Sequence, residues 1–245
     1  MSSRRSEKEQ QIAAALLVTF ASLLLGMVLL EFLLVGTNPL KLTLGGDFLN
    51  KSRMDYVMPL FIGYLVIGAA GFVGTLGLVA VYGPEGRLET EVVKLSALGY
   101  FLSTYWLWSA VFMVQHKITL LTDKPTDPPE WLLQIYDASD ALWALPSWGS
   151  LGCSLLLYGG LWLLLGRGAT LLPRVASWAF LALAASRFLN LIYVGTRGSG
   201  VVNRGGFDFA MLNDSFFMIV QVVAFFLAGA ALFKEKGVFK RQSRA

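Results

Sequence analysis

Six long apolar runs, separated by polar connections, constrain this chain more than any other feature. A helix needs about 20 mostly apolar residues to cross the hydrocarbon core of a bilayer, and each run is long enough to do so. The pattern therefore predicts an all-α fold, a polytopic membrane helix bundle with six transmembrane helices. The predicted spans are Gln11–Val35, Val57–Tyr82, Val92–Gln115, Ala138–Leu165, Leu171–Gly195 and Ala210–Phe233.

Composition excludes the soluble alternatives. Charged residues make up 15% of the chain and hydrophobic residues 56%, whereas soluble domains carry about 25% charged residues. Disordered chains have low hydrophobicity, and the mean hydropathy here is +0.61. A net charge of +4 is expected from an excess of cytoplasmic Lys and Arg in a membrane protein. We therefore expect the lipid bilayer as a partner, and no nucleic acid.

The distribution of basic residues predicts the orientation of the chain. With the N-terminus inside, twelve Lys and Arg residues fall in the inner segments or at the inner ends of the adjoining spans and seven in the outer segments, with Arg187 deep inside a span. Cytoplasmic connections usually carry the excess. The prediction is a cell-membrane protein with both termini cytoplasmic: a tail over residues 1–10, the helix bundle over 11–233, and a basic tail over 234–245.

The second predicted span is rich in glycine. Gly71, Gly74 and Gly77 recur every third residue, and small residues at such spacing let two helix backbones approach closely. Tight helix packing is the expected role of this face. The alternative is a glycine-rich helix that lines a ligand site.

Polar residues at membrane depth are costly and therefore indicate function or specific pairing. Helix rise places Arg187 ~13 Å below the outer end of its span and Glu31 and Asp214 about 6 Å deep. Asn190 lies one turn outward of Arg187, and an outer rim is predicted from His116, Asp137 and Asp140. The inner halves of the spans contain almost nothing ionisable.

Two interpretations of this candidate intramembrane cluster remain open. In the first, Arg187 is an anion clamp in a pocket that opens to the outside, with a carboxylate or His116 as a proton carrier. In the second, Arg187 pairs with Glu31 or Asp214 in a structural network, and the shallower groups reach the headgroups. One cysteine, Cys153, and one histidine exclude Cys-based and paired-His metal sites. No nucleotide or catalytic motif is present, and the cofactor is left unknown.

The stretch Gly166-Arg167-Gly168 followed by Leu171-Leu172-Pro173-Arg174-Val175 and a small-residue helix resembles the six-span prokaryotic membrane proteins grouped as domain of unknown function 4386. The resemblance implies a six-span layout with short inner and longer outer connections. It implies no activity and no functional residue.

These observations favour a non-catalytic membrane protein, either an accessory subunit or a small-ligand binder with an outward-facing polar cluster. One alternative is a membrane-embedded enzyme that acts on a lipid or quinone-like substrate at the outer leaflet. Another is a small oligomeric transporter. The expected protein partners are other membrane subunits or a second copy of the chain.

Overall fold

The computed structural model describes residues 2–35, 57–107, 110, 130–131, 134, 138, 144–168, 170–197 and 209–234. These residues form six α-helices and no strand. The helices are α1 (Ser2–Val35), α2 (Val57–Tyr82), α3 (Leu88–Phe101), α4 (Ala144–Gly166), α5 (Leu171–Arg197) and α6 (Phe209–Lys234). A π-helical turn, Leu102–Leu107, directly continues α3.

The all-α architecture is confirmed, and five helices (α1, α2, α4, α5 and α6) are long and apolar enough to cross a membrane. The bounds of α2 are those predicted, while α1 begins at Ser2 rather than Gln11. The third predicted span, Val92–Gln115, differs most. Its helix begins at Leu88 and changes from α to π geometry at Leu102, a change that apolar periodicity does not signal.

The helices pack in a closed ring. Each helix contacts the next one in the chain, and α6 returns to pack against α1. The side chain of Gln10 in α1 donates a hydrogen bond to the carbonyl of Leu232 in α6, with 2.8 Å between the atoms. The first helix therefore begins beside the end of the last one. This end also holds the α2–α3 and α4–α5 turns, so we call it the short-loop end and the opposite one the long-loop end.

The glycine face of α2 is packed tightly against its neighbours. A β-carbon added to Gly74 would lie 2.9 Å from Leu17 Cδ2 and 3.1 Å from the Leu17 backbone nitrogen in α1. One added to Gly71 would lie 2.5 Å from Phe101 Cε1 in α3. Real β-carbons do not approach other atoms so closely. The predicted role of this face in helix packing is thus confirmed.

Polar contacts organise the short-loop end. The α2–α3 turn passes through Gly86, whose φ of +70° favours glycine, and Thr90 Oγ1 donates to the carbonyl of Pro84 at 2.9 Å. After α4, Arg167 Nη1 lies 2.5 Å from Glu89 Oε1 in the first turn of α3. This ion pair joins the two turns and holds the pKa of the exposed Glu89 carboxyl below its ordinary value, chiefly through the hydrogen bond from Arg167.

Aromatic side chains fill the middle of the ring. The largest fully buried side chains contributed by five of the helices are Phe20, Tyr100, Phe101, Tyr158, Phe180, Phe217 and Phe225. Phe20 makes edge-to-face contacts with Phe101 at 5.7 Å and with Phe225 at 4.8 Å between ring centroids. Such pairs add about 0.5–1.5 kcal/mol beyond area burial. The bundle interior is therefore a packed core at this level.

Candidate functional site

Arg187 lies in the half of α5 that approaches the long-loop end. Its side chain is half-buried, and its Nε atom is buried between helices. The guanidinium carbon lies 3.3 Å from the centroid of the Phe217 ring in α6, a cation–π contact that gains strength when water is excluded. The ring supports one face of the planar guanidinium and so restricts its orientation.

Two further polar residues share this region of α5. Asn190, one turn further toward the long-loop end, is 8% exposed, and Ser186 is 3% exposed. A buried amide and a buried hydroxyl thus lie within one turn of Arg187 on α5. Of the predicted cluster, Arg187 and Asn190 are the members whose side chains the structure describes, and they lie one turn apart on α5.

The other predicted members lie outside what the structure describes. Residues 116, 137 and 140 are outside the described residues, and so are the side chains of Glu31 and Asp214. Their pairing with Arg187 remains a prediction. Among the side chains that the structure describes, no group of three or more His, Cys, Asp or Glu residues could hold a metal ion.

A second polar cluster lies deeper in the bundle, and sequence reasoning missed it. The Nε2 atom of Gln221 in α6 donates to the hydroxyls of Tyr100 at 2.7 Å, Tyr158 at 3.1 Å and Tyr105 at 3.3 Å. All four residues are buried. We call this the Gln221 cluster. It joins α3, α4 and α6 through uncharged hydrogen bonds.

The two polar regions meet through aromatic rings. Phe217, whose ring the Arg187 guanidinium stacks on, lies one turn before Gln221 in α6. Its ring centroid is 5.7 Å from that of Tyr158, a member of the Gln221 cluster. Arg187 therefore lies two ring contacts away from the Gln221 cluster, through Phe217 and Tyr158. The chemistry available here is the positive charge and donors of the Arg187 guanidinium and the neutral hydrogen bonds of the Gln221 cluster.

The sequence contains one usable signal for the Gln221 cluster. Gln221 is an uncharged polar residue inside an apolar span of α6, and such residues often bond across helices in membranes. Tyr100 and Tyr105 gave no signal because residues five apart differ in direction by about 140° on an α-helix. Only the π-helical turn brings both rings to Gln221.

Comparison of the chain with protein-family models, with curated proteins and with solved structures finds no match. The resemblance in layout to domain of unknown function 4386 accordingly stays a prediction.

Proposed function

We propose that this protein is a six-span, multi-pass protein of the cell membrane with both termini in the cytoplasm. Five helices long and apolar enough to cross a bilayer support this, with α3 and the segment after it as the sixth span. The hydrogen bond between Gln10, near the start of α1, and Leu232, near the end of α6, supports termini on the same side of the membrane. An even number of spans agrees with this, since it returns the chain to its starting side. The excess of Lys and Arg favours the cytoplasm for that side.

Within this topology we propose a non-catalytic binding role for an amphiphilic ligand of the outer leaflet. The observation that carries this proposal is the guanidinium of Arg187 against the Phe217 ring at 3.3 Å. A guanidinium is a planar fork with five donors that matches carboxylate and phosphate geometry. The ligand head is therefore an oxyanion. Because the guanidinium has five donors, it can bind this oxyanion and a carboxylate of the protein at the same time.

The core packing favours a binder over a transporter. Phe20, Phe101 and Phe225 are fully buried and touch one another across the ring, so a solute crossing this level would have to displace large side chains from a dense interior. The enzyme alternative needs the carboxylates and His116 to converge on a cavity. In the Gln221 cluster the amide nitrogen donates to three tyrosine hydroxyls, and no carboxylate or histidine takes part. An accessory subunit remains compatible with a lipid-like ligand.

Native mass spectrometry tests the proposal. The purified protein is exchanged from phosphatidylcholine nanodiscs into discs with increasing phosphatidylglycerol, and retained lipid is counted after release into detergent. We expect wild-type protein to retain one phosphatidylglycerol about tenfold more strongly than Arg187→Lys, since a loss of about 1.4 kcal/mol of hydrogen bonding is tenfold. Glycerol phosphate in a parallel titration separates recognition of the headgroup from recognition of the chains.

The matched control is Arg87→Gln, which removes a basic side chain that is 63% exposed at the short-loop end. Retention by this variant should equal that of the wild type. Equal retention by wild type and Arg187→Lys would reject a ligand site at Arg187. Loss in Arg87→Gln as well would show general charge attraction instead.

A further inference from the structure

Three arginines lie in or beside the turns of the short-loop end, and two of them share a carboxylate. Arg167 Nη1 pairs with Glu89 Oε1, and Arg87 Nη1 lies 3.8 Å from the same oxygen. Arg174, in the first turn of α5, has no carboxylate partner in the part of the chain that the structure describes. A guanidinium keeps its positive charge, so Arg174 is available to an anion from outside the chain.

A backbone carbonyl orients the guanidinium of Arg174. Its Nε donates to the carbonyl oxygen of Gly168 in the α4–α5 turn at 3.1 Å, while the side chain remains exposed. The backbone nitrogen of Gly168 donates in turn to the carbonyl of Leu165 at 2.9 Å. The two Nη groups at the tip are the parallel donors that bind a phosphate or a carboxylate. Because the fork is already oriented, binding of an oxyanion costs less conformational entropy.

Arg174 belongs to an exposed stripe along α5. Leu171, Arg174, Val175 and Trp178 follow one another at steps of three, one and three residues, and all four are exposed. Residues three, four and seven apart lie on one face of a helix. Helix rise places Trp178 about 6 Å further into the span than Arg174. Tryptophan rings favour the headgroup level of a bilayer, so the Arg174 guanidinium reaches the level of the lipid phosphates.

A phospholipid with a net negative charge fits this stripe better than a zwitterionic one. The segment Leu171–Trp178 contains no carboxylate, and the carboxylates in the first turn of α3 pair with Arg167 and Lys94. A choline headgroup would therefore bring a second cation next to Arg174, with no acidic group in the stripe to bind it. Phosphatidylglycerol brings only the negative charge of its phosphate.

We propose that the exposed face of Leu171–Trp178 is a binding site for an anionic phospholipid. The Nη groups of Arg174 bind the phosphate, and the indole N–H of Trp178 donates to an ester carbonyl. One acyl chain lies along Ala185 and Leu189, which are exposed further along the same face of α5. In the proposed topology this lipid comes from the cytoplasmic leaflet, and only the choice of leaflet rests on the proposed function.

Fluorescence quenching by brominated lipid tests the site. The protein is placed in phosphatidylcholine nanodiscs that contain the same small fraction of either brominated phosphatidylglycerol or brominated phosphatidylcholine. Bromine quenches tryptophan at short range, so the difference between wild type and Trp178→Phe reports the lipid next to Trp178. We expect phosphatidylglycerol to be enriched about fivefold there, since one basic residue near a membrane surface attracts anionic lipid by about that factor.

Variants of the arginines separate a site from general charge attraction, each measured with and without Trp178→Phe. The enrichment should disappear in Arg174→Gln and fall in Arg174→Lys, which keeps the charge but loses the fork. Arg87→Gln removes the same charge from the same end and should keep the enrichment. Equal quenching by both brominated lipids in the wild type would overturn the proposal, as would equal losses in Arg174→Gln and Arg87→Gln. If Arg174→Gln does not fold, full enrichment in Arg174→Lys has the same meaning.

This site and the one at Arg187 are tested independently, because they lie in opposite halves of α5. Arg187→Lys should leave the quenching of Trp178 unchanged. In the retention experiment, the stripe should hold a second phosphatidylglycerol that Arg187→Lys keeps and Arg174→Gln loses.

Discussion

The side-chain amide of Gln221 in α6 donates a hydrogen bond to the hydroxyl of Tyr100 in α3, with 2.7 Å between nitrogen and oxygen. The two residues lie 121 positions apart in the chain and are both buried. Both groups are shielded from bulk solvent, so leaving either one without a hydrogen bond would cost free energy. Because a hydrogen bond is directional, this pair fixes how α3 and α6 face each other, which apolar contacts alone would not do.

Replacement of Gln221 by Leu should therefore destabilise the protein. The amide is lost and buried tyrosine hydroxyls lose an interaction, which costs about 1–3 kcal/mol of the free energy of unfolding. Denaturation in detergent micelles measures the change. Ile219→Leu is the matched control, because Ile219 is exposed on the opposite face of α6. A Gln221→Leu protein as stable as this control would show that the hydrogen bonds of the Gln221 cluster do not stabilise the fold.

Leucine at Gly71 and Gly74 should disrupt the seam between α1 and α2. Overpacking of this kind costs about 1–3 kcal/mol, because the new side chains would meet Phe20 and the backbone of Leu17. Thermal unfolding in detergent measures it. Gly152 and Gly159 provide controls, since added β-carbons there meet nothing within 4 Å. Equal melting temperatures for the double variants 71/74 and 152/159 would be incompatible with the packed glycine face.

The ion pair between Glu89 and Arg167 should make stability depend on pH. Arg167 lowers the pKa of Glu89 in the folded protein, so the pair stabilises the fold at pH values above the ordinary carboxyl pKa and ceases to do so as pH falls through the lowered one. Wild-type protein should therefore melt higher than Glu89→Gln at pH 7, with the gap closing in acid.

High salt should reduce the difference in melting temperature between wild type and Glu89→Gln at pH 7, because exposed charges are screened. Glu85→Gln, which removes an equal charge from an exposed position in the α2–α3 turn, is the control for the loss of a negative charge alone. A gap for Glu89→Gln that persists below pH 3 would point to packing instead of the ion pair.

Topology is open to direct labelling. Single cysteines at Ser3 and Ser243 should be shielded from an impermeant thiol reagent in intact cells, and one at Thr126 should react, since the charge distribution predicts cytoplasmic termini. A Cys153→Ala background removes the native thiol. Reaction of either terminal cysteine from outside the cell would exclude the proposed orientation.

Arg187 should have a carboxylate partner, either Glu31 or Asp214, because a guanidinium at membrane depth keeps its charge. Removal of one member of a buried pair costs about 3–5 kcal/mol, so Arg187→Leu should unfold far more easily than Arg197→Leu. Asp214→Asn and Glu31→Gln identify the partner, since the one that adds little further loss to Arg187→Leu is coupled to it. If both add their full effect, neither is paired with Arg187.

Sequence alone determined that this is a bundle of membrane-length helices, and it determined the bounds of α2. Membrane length and hydropathy depend on the solvent that surrounds a segment, and they are readable one segment at a time. The spacing of Gly71, Gly74 and Gly77 likewise predicted a close helix contact. In each case the physical cause lies within a short stretch of chain.

Tertiary structure alone decided which face of each helix is buried. In α6, Phe217 and Phe225 are buried while Phe216 and Phe226 are exposed, although all four are phenylalanine. Lipid and protein interior are both apolar, so hydrophobicity does not distinguish the two faces as it does in water. Composition therefore does not predict the order of the helices in the ring or which aromatic side chains form the core.

The Gln221 cluster shows the same limit for the site. Its members come from three helices, and Tyr105 joins only because α3 changes to π geometry at Leu102. That change is stabilised by partners on other helices, among them Ser150 and Leu65. Local sequence determines which segments become helices, but contacts with other helices accompany the π geometry of this turn, because π turns are rare and the apolar pattern of the chain does not predict them.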